Sequence, residues 1–241
     1  MTGRGVTLEV CLDSLRSAVA ARDGGAGRIE VCAAMAAGGL TPSFGLLRSV
    51  RRAVRIPVHV LIRPRPGDFR YSAGELRAMS DDILAAKEFG ADGVVVGVLT
   101  ADRAVDVRAM RRLIRAARPL SVTFHRAFDE VPRRRAALDA LLDLGVDRVL
   151  TSGGKAAAYE GREEIGRLVG ESAGRIAVMA GGGVERQTVA RLLEATRVGE
   201  VHVGSAVATL RINGRGAYRA VVGIVDAGKV RSFLAAMRAP R

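Results

Sequence analysis

The sequence predicts an α/β fold, a (β/α)8 barrel of the TIM type, with residues 1–241 forming a single domain. Three observations predict it. Short runs rich in Val and Ile recur eight times at regular intervals. The segments between them carry apolar residues at helical spacing. Glycines stand where those helices would end, just before the next run. Strand–helix alternation implies parallel strands, because a parallel pair needs a crossover.

The eight runs are TLEVCL (7–12), RIEVCA (28–33), VHVLIR (58–63), GVVVGV (93–98), SVTFHR (121–126), RVLTSG (148–153), IAVMAG (176–181) and EVHVGS (200–205). Helical spacing shows in Leu76, Met79, Ile83 and Leu84, and again in Leu138, Leu141, Leu142 and Leu144. GAGR (25–28), GADG (90–93) and GVDR (145–148) supply the helix-ending glycines in short links. The strand-to-helix links are longer, notably 33–42 and 64–72. Thr41 before Pro42 predicts an N-cap with Pro at the first helical position. SAGE (72–75) predicts a capping box. A last helix is predicted over 226–237, and residues 206–225 carry no assignable pattern. A doubly wound open sheet is the alternative, but it more often carries a Gly-rich turn after its first strand. Here LDSL follows instead.

Composition narrows the function. The net charge is +13, almost all from Arg, with only three Lys. Such a balance suits nucleic acid or an anionic ligand. The arginines are spread along the chain, aromatics are 4%, and there is no Trp to stack bases. RRAVR (51–55), RRLIR (111–115) and PRRR (132–135) fall on helical patterns and read as solvated helix faces. Neither nucleic acid nor a membrane is an expected partner. The longest uncharged stretch, 31–47, is broken by Gly38, Gly39 and Pro42. The N-terminus enters a strand pattern at once, with no leader-like segment, and there are only two cysteines. A disulfide framework is therefore not expected, and the cytoplasm is the expected compartment.

Alternation places Glu9 and Cys11 on one face of the first strand and Glu30 and Cys32 on one face of the second. If those faces look inward, two carboxylates and two thiols meet near the barrel mouth. Crowded carboxylates are costly unless cations stand nearby. Arg63 and Arg65 end strand three, and His125 and Arg126 end strand five. Glu9 and Glu30 then read either as structural partners of those arginines or as an acid/base or ligand-gripping pair, with Arg63, His125 and Arg126. His202 sits mid-strand and reads as core, and His59 begins its strand, away from the mouth.

Cys11 and Cys32 allow three readings: small buried hydrophobes, soft ligands for Cu(I), or a catalytic nucleophile. Neither a Met nor a His is spaced in sequence to complete a copper site. MAGGGVERQTV (179–189) and EVHVGSAV (200–207) end strands seven and eight in glycines. Loops after these strands often bind phosphate in such barrels, so Gly182, Gly183, Gly204 and Ser205 are candidate anion-binding residues. Lys155 in TSGGK (151–155) is a possible assistant.

The motifs LEVC, RIEVC, GGLTPS (38–43), IRPRPGDFRYS (62–72), VTFHRAFD (122–129), VLTSG (149–153) and GGGV (181–184) resemble the CutC family of copper homeostasis proteins from about Leu8 to Ala206. The resemblance implies a TIM-like barrel, a cytoplasmic homo-oligomer, and a part in copper tolerance with Cu(I) held by cysteine. The family's inward cysteines match Cys11 and Cys32, and its polar cluster matches Glu9, Glu30, Arg63, His125 and Arg126. Relative to the family, residues 206–225 form a shortened segment after the last strand. Two functions are expected of such a site: copper handling, or acid/base chemistry on a small phosphate- or carboxylate-bearing metabolite.

Overall fold

The structure, a computed structural model, describes residues 5–215 and 219–238. Eight strands close into one barrel in sequence order: β1 (Thr7–Leu12), β2 (Arg28–Val31), β3 (Val58–Leu61), β4 (Gly93–Val96), β5 (Ser121–Phe124), β6 (Arg148–Thr151), β7 (Ala177–Gly181) and β8 (Glu200–Val203). All eight pairings are parallel, and β8 returns to β1 with Glu9 opposite His202. The helices are α1 (Leu15–Gly24), α2 (Phe44–Ala53), α3 (Ala73–Glu88), α4 (Val107–Ala117), α5 (Arg134–Asp143), α6 (Arg162–Ser172), α7 (Val189–Thr196) and α8 (Ala227–Arg238).

The strands are shorter than the sequence runs because several runs include the first residues of the site loops. Gly25, Gly90 and Gly145 all have positive φ at the helix ends, as their spacing predicts. At α3, Ser72 and Glu75 make the reciprocal capping box. The cap of α2 differs from the expectation. Ser43 is the N-cap, its hydroxyl accepting from the Leu46 amide, and Pro42 lies outside the helix. The Thr41 hydroxyl instead accepts the Arg63 amide at 2.9 Å and ties two site loops together. Leu84 also departs from its helical pattern: it is exposed, while Met79 and Ile83 carry the buried face of α3.

The barrel wall separates two kinds of packing. Leu8, Val10, Ile29, Val31, Val60 and Val94 lie in the large apolar cluster with the helices. The alternate residues face the interior. Cys11, Cys32, Leu61 and Val95 form a separate small cluster there. Below it runs a polar layer. Arg28 on β2 pairs with Glu9 on β1 and with Glu200 on β8, and Arg148 on β6 pairs with Glu200. Strands β6 and β8 are not neighbours, so that last pair spans the inside of the barrel. Barrels of this type usually fill their interior with branched apolar side chains. Here an ion-pair network fills the lower layer.

Of residues 206–225, unassigned from sequence, 216–218 lie outside the described residues; the rest follow on from a short 3-10 turn (Ser205–Val207) and form an antiparallel pair, β9 (Ala208–Asn213) with β10 (Ala220–Val225). Residues of β9 alternate apolar and polar, β10 is apolar throughout, and only Val225 at the end of β10 is buried. Leu210, Ile212 and Val221 point into solvent. No helix among the described residues is long and apolar enough to cross a membrane.

Candidate functional site

A cavity of about 380 Å³ opens at the carboxyl ends of the strands. Cys11, Glu30, Arg63, His125, Arg126 and His202 line it, with Gly182, Gly183, Gly204 and Ser205 on the opposite loops. Most of the sequence-predicted residues therefore converge. Cys32 is fully buried and does not line the cavity. Lys155 does not line the cavity. Glu9 does not reach it either: it is fully buried one layer below, where Arg28 and His202 hold it. The physical reason is its position two residues earlier on β1 than Cys11, one full repeat of the strand alternation deeper in the barrel.

Electrostatics distinguish the layers. Burial opposes charge on Glu9. The hydrogen bond from His202 at 2.7 Å and the Arg28 charge outweigh it and hold the carboxyl well below its usual range. His202 is depressed by burial, but the bond to Glu9 and the Glu30 charge outweigh that and raise it. His59 lies 4.0 Å from Glu9 and outside the cavity, and burial lowers it to about 4. Glu30, one layer higher, is raised by burial, offset in part by His202.

The upper layer leaves polar atoms without partners. Glu30 Oε1 accepts from Cys11 Sγ at 3.4 Å, while Oε2 is buried with no partner. His125 Nδ1 accepts the Ala127 amide at 3.1 Å, which places the ring proton on Nε2. That Nε2 is buried and unpartnered. Burial, then the Arg63 charge, lowers His125 to about 3, so it is neutral. Room for this ring comes from Gly97, where a Cβ would sit 2.4 Å from it. The Arg63 Nη atoms donate to the carbonyls of Ala37, Gly39 and Gly67, leaving Nε buried and unpartnered.

Arg126 lies over Gly182, whose φ is +95 and where a Cβ would meet the guanidinium at 2.8 Å. Asp129 and Ser152 hold that guanidinium at 2.8 and 3.0 Å. Asp129 also accepts from the Thr151 hydroxyl and the Ser152 and Gly154 amides, tying the loop after β6 to Arg126. Sequence reasoning did not single out Asp129. Its place in VTFHRAFD, three residues after Arg126, was the available signal.

Two further residues were missed. Met35 begins a 3-10 turn (Met35–Ala37) after β2. Its Sδ lies 3.1 Å from Cys32 Sγ and 3.6 Å from Cys11 Sγ, and the two Sγ atoms are 3.6 Å apart. The expectation that no Met completes the thiol pair is thus corrected. The turn reverses the chain, which sequence spacing alone does not reveal, although Cys32 and Met35 being three apart was a clue. His202 was read as core. It lines the cavity instead, and Cys11, Glu30 and His202 each offer a ligand atom within 4.8 Å of the others. Its alternation with Glu200 and Gly204 on one strand face was the signal.

Comparison with known proteins follows the same residues. The CutC family model matches residues 6–207. The copper homeostasis protein cutC homologs of Mus musculus and Homo sapiens are each 50% identical to the chain. These alignments cover 83% and 82% of this chain and 74% and 72% of the relatives. A CutC structure from Streptococcus agalactiae superposes with a TM-score of 0.79 at 34% identity, covering 83% of this chain and 98% of that one. Thiamine phosphate pyrophosphorylase from Pyrococcus furiosus superposes with a TM-score of 0.61 at 17% identity over 96% of this chain and 95% of that one, a likeness of fold alone. The hairpin β9–β10 and α8 lie beyond the residues that the family model matches.

Proposed function

The chain belongs to the CutC family, whose named relatives are copper homeostasis proteins, and from that premise we propose that it handles copper by binding Cu(I). Cys11 and Cys32 are the thiolate ligands and Met35 supplies a thioether. The observation that carries this reading is the sulfur triangle, with edges of 3.1, 3.6 and 3.6 Å. Thiolate and thioether donors are soft and suit Cu(I), and the thioether sets this group apart from the Cys, His and carboxylate donors of zinc sites. The thiols must lose their protons to bind. The hydrogen bond with Cys32, burial and the Glu30 charge push the Cys11 thiol well up, so binding releases a proton and strengthens as pH rises. Met35 is 39% exposed and sits where an ion would enter from the cavity. Competition titration with a Cu(I) chelator tests the reading. Wild type should bind far more tightly than Cys11→Ser/Cys32→Ser, and equal affinities would remove it.

A second reading rests on a different observation. Three buried, unpartnered polar atoms, on Glu30, Arg63 and His125, belong to side chains that line one cavity. Native structures leave few such atoms, and a ligand is one way to satisfy them. The reading is an enzyme for a small anionic metabolite. Glu30 serves as acid or base, and Arg63, Arg126 and His125 Nε2–H face the anion. Gly182, Gly183, Gly204 and Ser205 form the far wall of the cradle. A metabolite library screened by thermal shift on copper-free protein tests it. The expected result is stabilisation by a phosphate- or carboxylate-bearing compound, lost in Glu30→Gln.

The cytoplasmic homo-oligomer is part of the same proposal. The exposed Leu210, Ile212 and Val221 support self-association, because a two-stranded hairpin that anchors only one strand on α1 leaves these apolar side chains in water. Light scattering on wild type and Leu210→Ser/Ile212→Ser reads the outcome directly. A monomer at micromolar concentration in both would end it.

A further inference from the structure

The geometry points to a second metal site, for a divalent ion of borderline softness such as Zn²⁺, made by Cys11, Glu30 and His202 and sharing Cys11 with the copper site. These residues come from β1, β2 and β8, which are adjacent in the closed barrel. One ligand atom of each lies within 4.8 Å of the others, and all three side chains line the cavity. The donors are one thiolate, one carboxylate and one imidazole. That set suits zinc or a similar divalent ion better than Cu(I), which the three sulfurs suit.

Two independent observations point to a ligand here. The first is Glu30 Oε2, buried and without a partner beside Cys11. The second is the support behind His202. Glu9 Oε1 engages its Nδ1 at 2.7 Å, and Arg28 holds Glu9 in turn. A histidine whose far nitrogen is fixed by a buried carboxylate has its orientation set and its other nitrogen left for a metal, the usual arrangement behind metal-ligating histidines. The buried ion-pair layer then has a purpose beyond filling the barrel, since it orients His202.

Three protein ligands leave a tetrahedral ion one open position. Arg63, His125 and Arg126 line the same cavity and would be the side chains nearest a ligand taken up there. An anion entering the cavity would meet the ion there, and Glu30 would act as ligand rather than as acid or base. Both sites use the single Cys11 sulfur, and a thiolate already bound to one cation is a poorer donor to a second. A soft ion draws it toward Cys32 and Met35. A divalent ion draws it toward Glu30 and His202. Copper and the divalent ion therefore compete through one thiol.

Titration of the reduced, copper-free full chain with Co²⁺, a spectroscopic stand-in for Zn²⁺, tests this. The expected result is one equivalent bound, with a near-ultraviolet thiolate-to-cobalt charge-transfer band and visible bands of four-coordinate geometry. Zn²⁺ should displace the cobalt, and one equivalent of Cu(I) should bleach its spectrum. Glu30→Gln and His202→Asn should weaken Co²⁺ binding at least tenfold more than they weaken Cu(I) binding. Met35→Leu should do the reverse, and Cys11→Ser should lose the charge-transfer band. Glu9→Gln should weaken Co²⁺ binding about 10–100-fold through His202. Should His202→Asn fail to fold, the near-isosteric Glu30→Gln decides alone, with its thermal melt as the control. A six-coordinate aquo-like spectrum, or unchanged Co²⁺ affinity in Glu30→Gln, overturns the inference. Either outcome leaves the Cu(I) titration unaffected, so the two proposals fail separately.

Discussion

Two layers of the barrel interior use the same residue types to opposite ends. The lower layer holds Glu9, Arg28, His59, Arg148 and Glu200, and its carboxylates and guanidinium groups are paired. Only His59 Nδ1 is left with nothing nearer than the Glu9 carboxylate at 4.0 Å. The upper layer holds Glu30, Arg63 and His125, each with a buried polar atom lacking a partner, beside three sulfurs in contact. Acid, arginine and histidine occur in both. What differs is satisfaction. Charges that neutralise one another hold a structure in place, whereas groups left open at a cavity cost stability and are available to a ligand. His202 joins the layers, with Nδ1 engaged below by Glu9 and its ring exposed to the cavity above.

The largest effect that would test this contrast is loss of Glu9. Glu9→Ala leaves Arg28 and His202 short of a buried partner and should cost about 3–5 kcal/mol in urea unfolding. A cost below about 1 kcal/mol would mean that the lower layer is not a scaffold. Next comes pH. Folding lowers His125 from 6.5 to about 3, so between those values the unfolded chain takes up a proton that the folded chain refuses. Stability must fall as pH falls through that window. His59, lowered to about 4, adds to the loss, while Glu30, raised, opposes it. In His125→Asn, whose amide oxygen can replace the Nδ1 acceptor, the drop between pH 6.5 and 4 should shrink by about 3 kcal/mol. An unchanged acid limb would place His125 in water. A smaller effect is expected at the sulfurs. Met35→Leu should weaken Cu(I) about tenfold, or about 1.4 kcal/mol, with thermal stability preserved. The smallest belongs to Glu30→Gln, which should shift unfolding by less than about 1 kcal/mol because the replaced carboxylate pays little into the fold. A loss as large as that of Glu9→Ala would erase the distinction between the layers.

Much of this is legible in the sequence. Val and Ile runs, glycine punctuation and SAGE capping placed the strands and α3 because each is a local consequence of backbone sterics and periodicity. Period-two alternation put Glu9 with Cys11 and Glu30 with Cys32 on shared strand faces, since a strand side chain has only two faces to choose from; the closed barrel turned those faces inward. Their height in the barrel was not legible. Glu9 and Glu30 look equivalent in LEVC and IEVC, yet the parallel register sets Cys11, not Glu9, opposite Glu30. The hairpin was missed although ATLRIN in β9 alternates apolar and polar residues; its partner AVVGIV is a continuous apolar run, which periodicity alone does not assign to a strand or a helix.

The sequence by itself determined the eightfold alternation, which residues share a strand face and the residue types at the strand ends, because these follow from propensity and spacing along the chain. Tertiary structure alone decided which charges are paired, that Met35 folds back onto two thiols from neighbouring strands, and that His202 meets Cys11 and Glu30 across the seam where β8 closes on β1. Those contacts join residues up to 193 positions apart, as Glu9 and His202 are. Only closure of the barrel brings such distant atoms within a few ångströms, and no local pattern encodes the shear at which it closes.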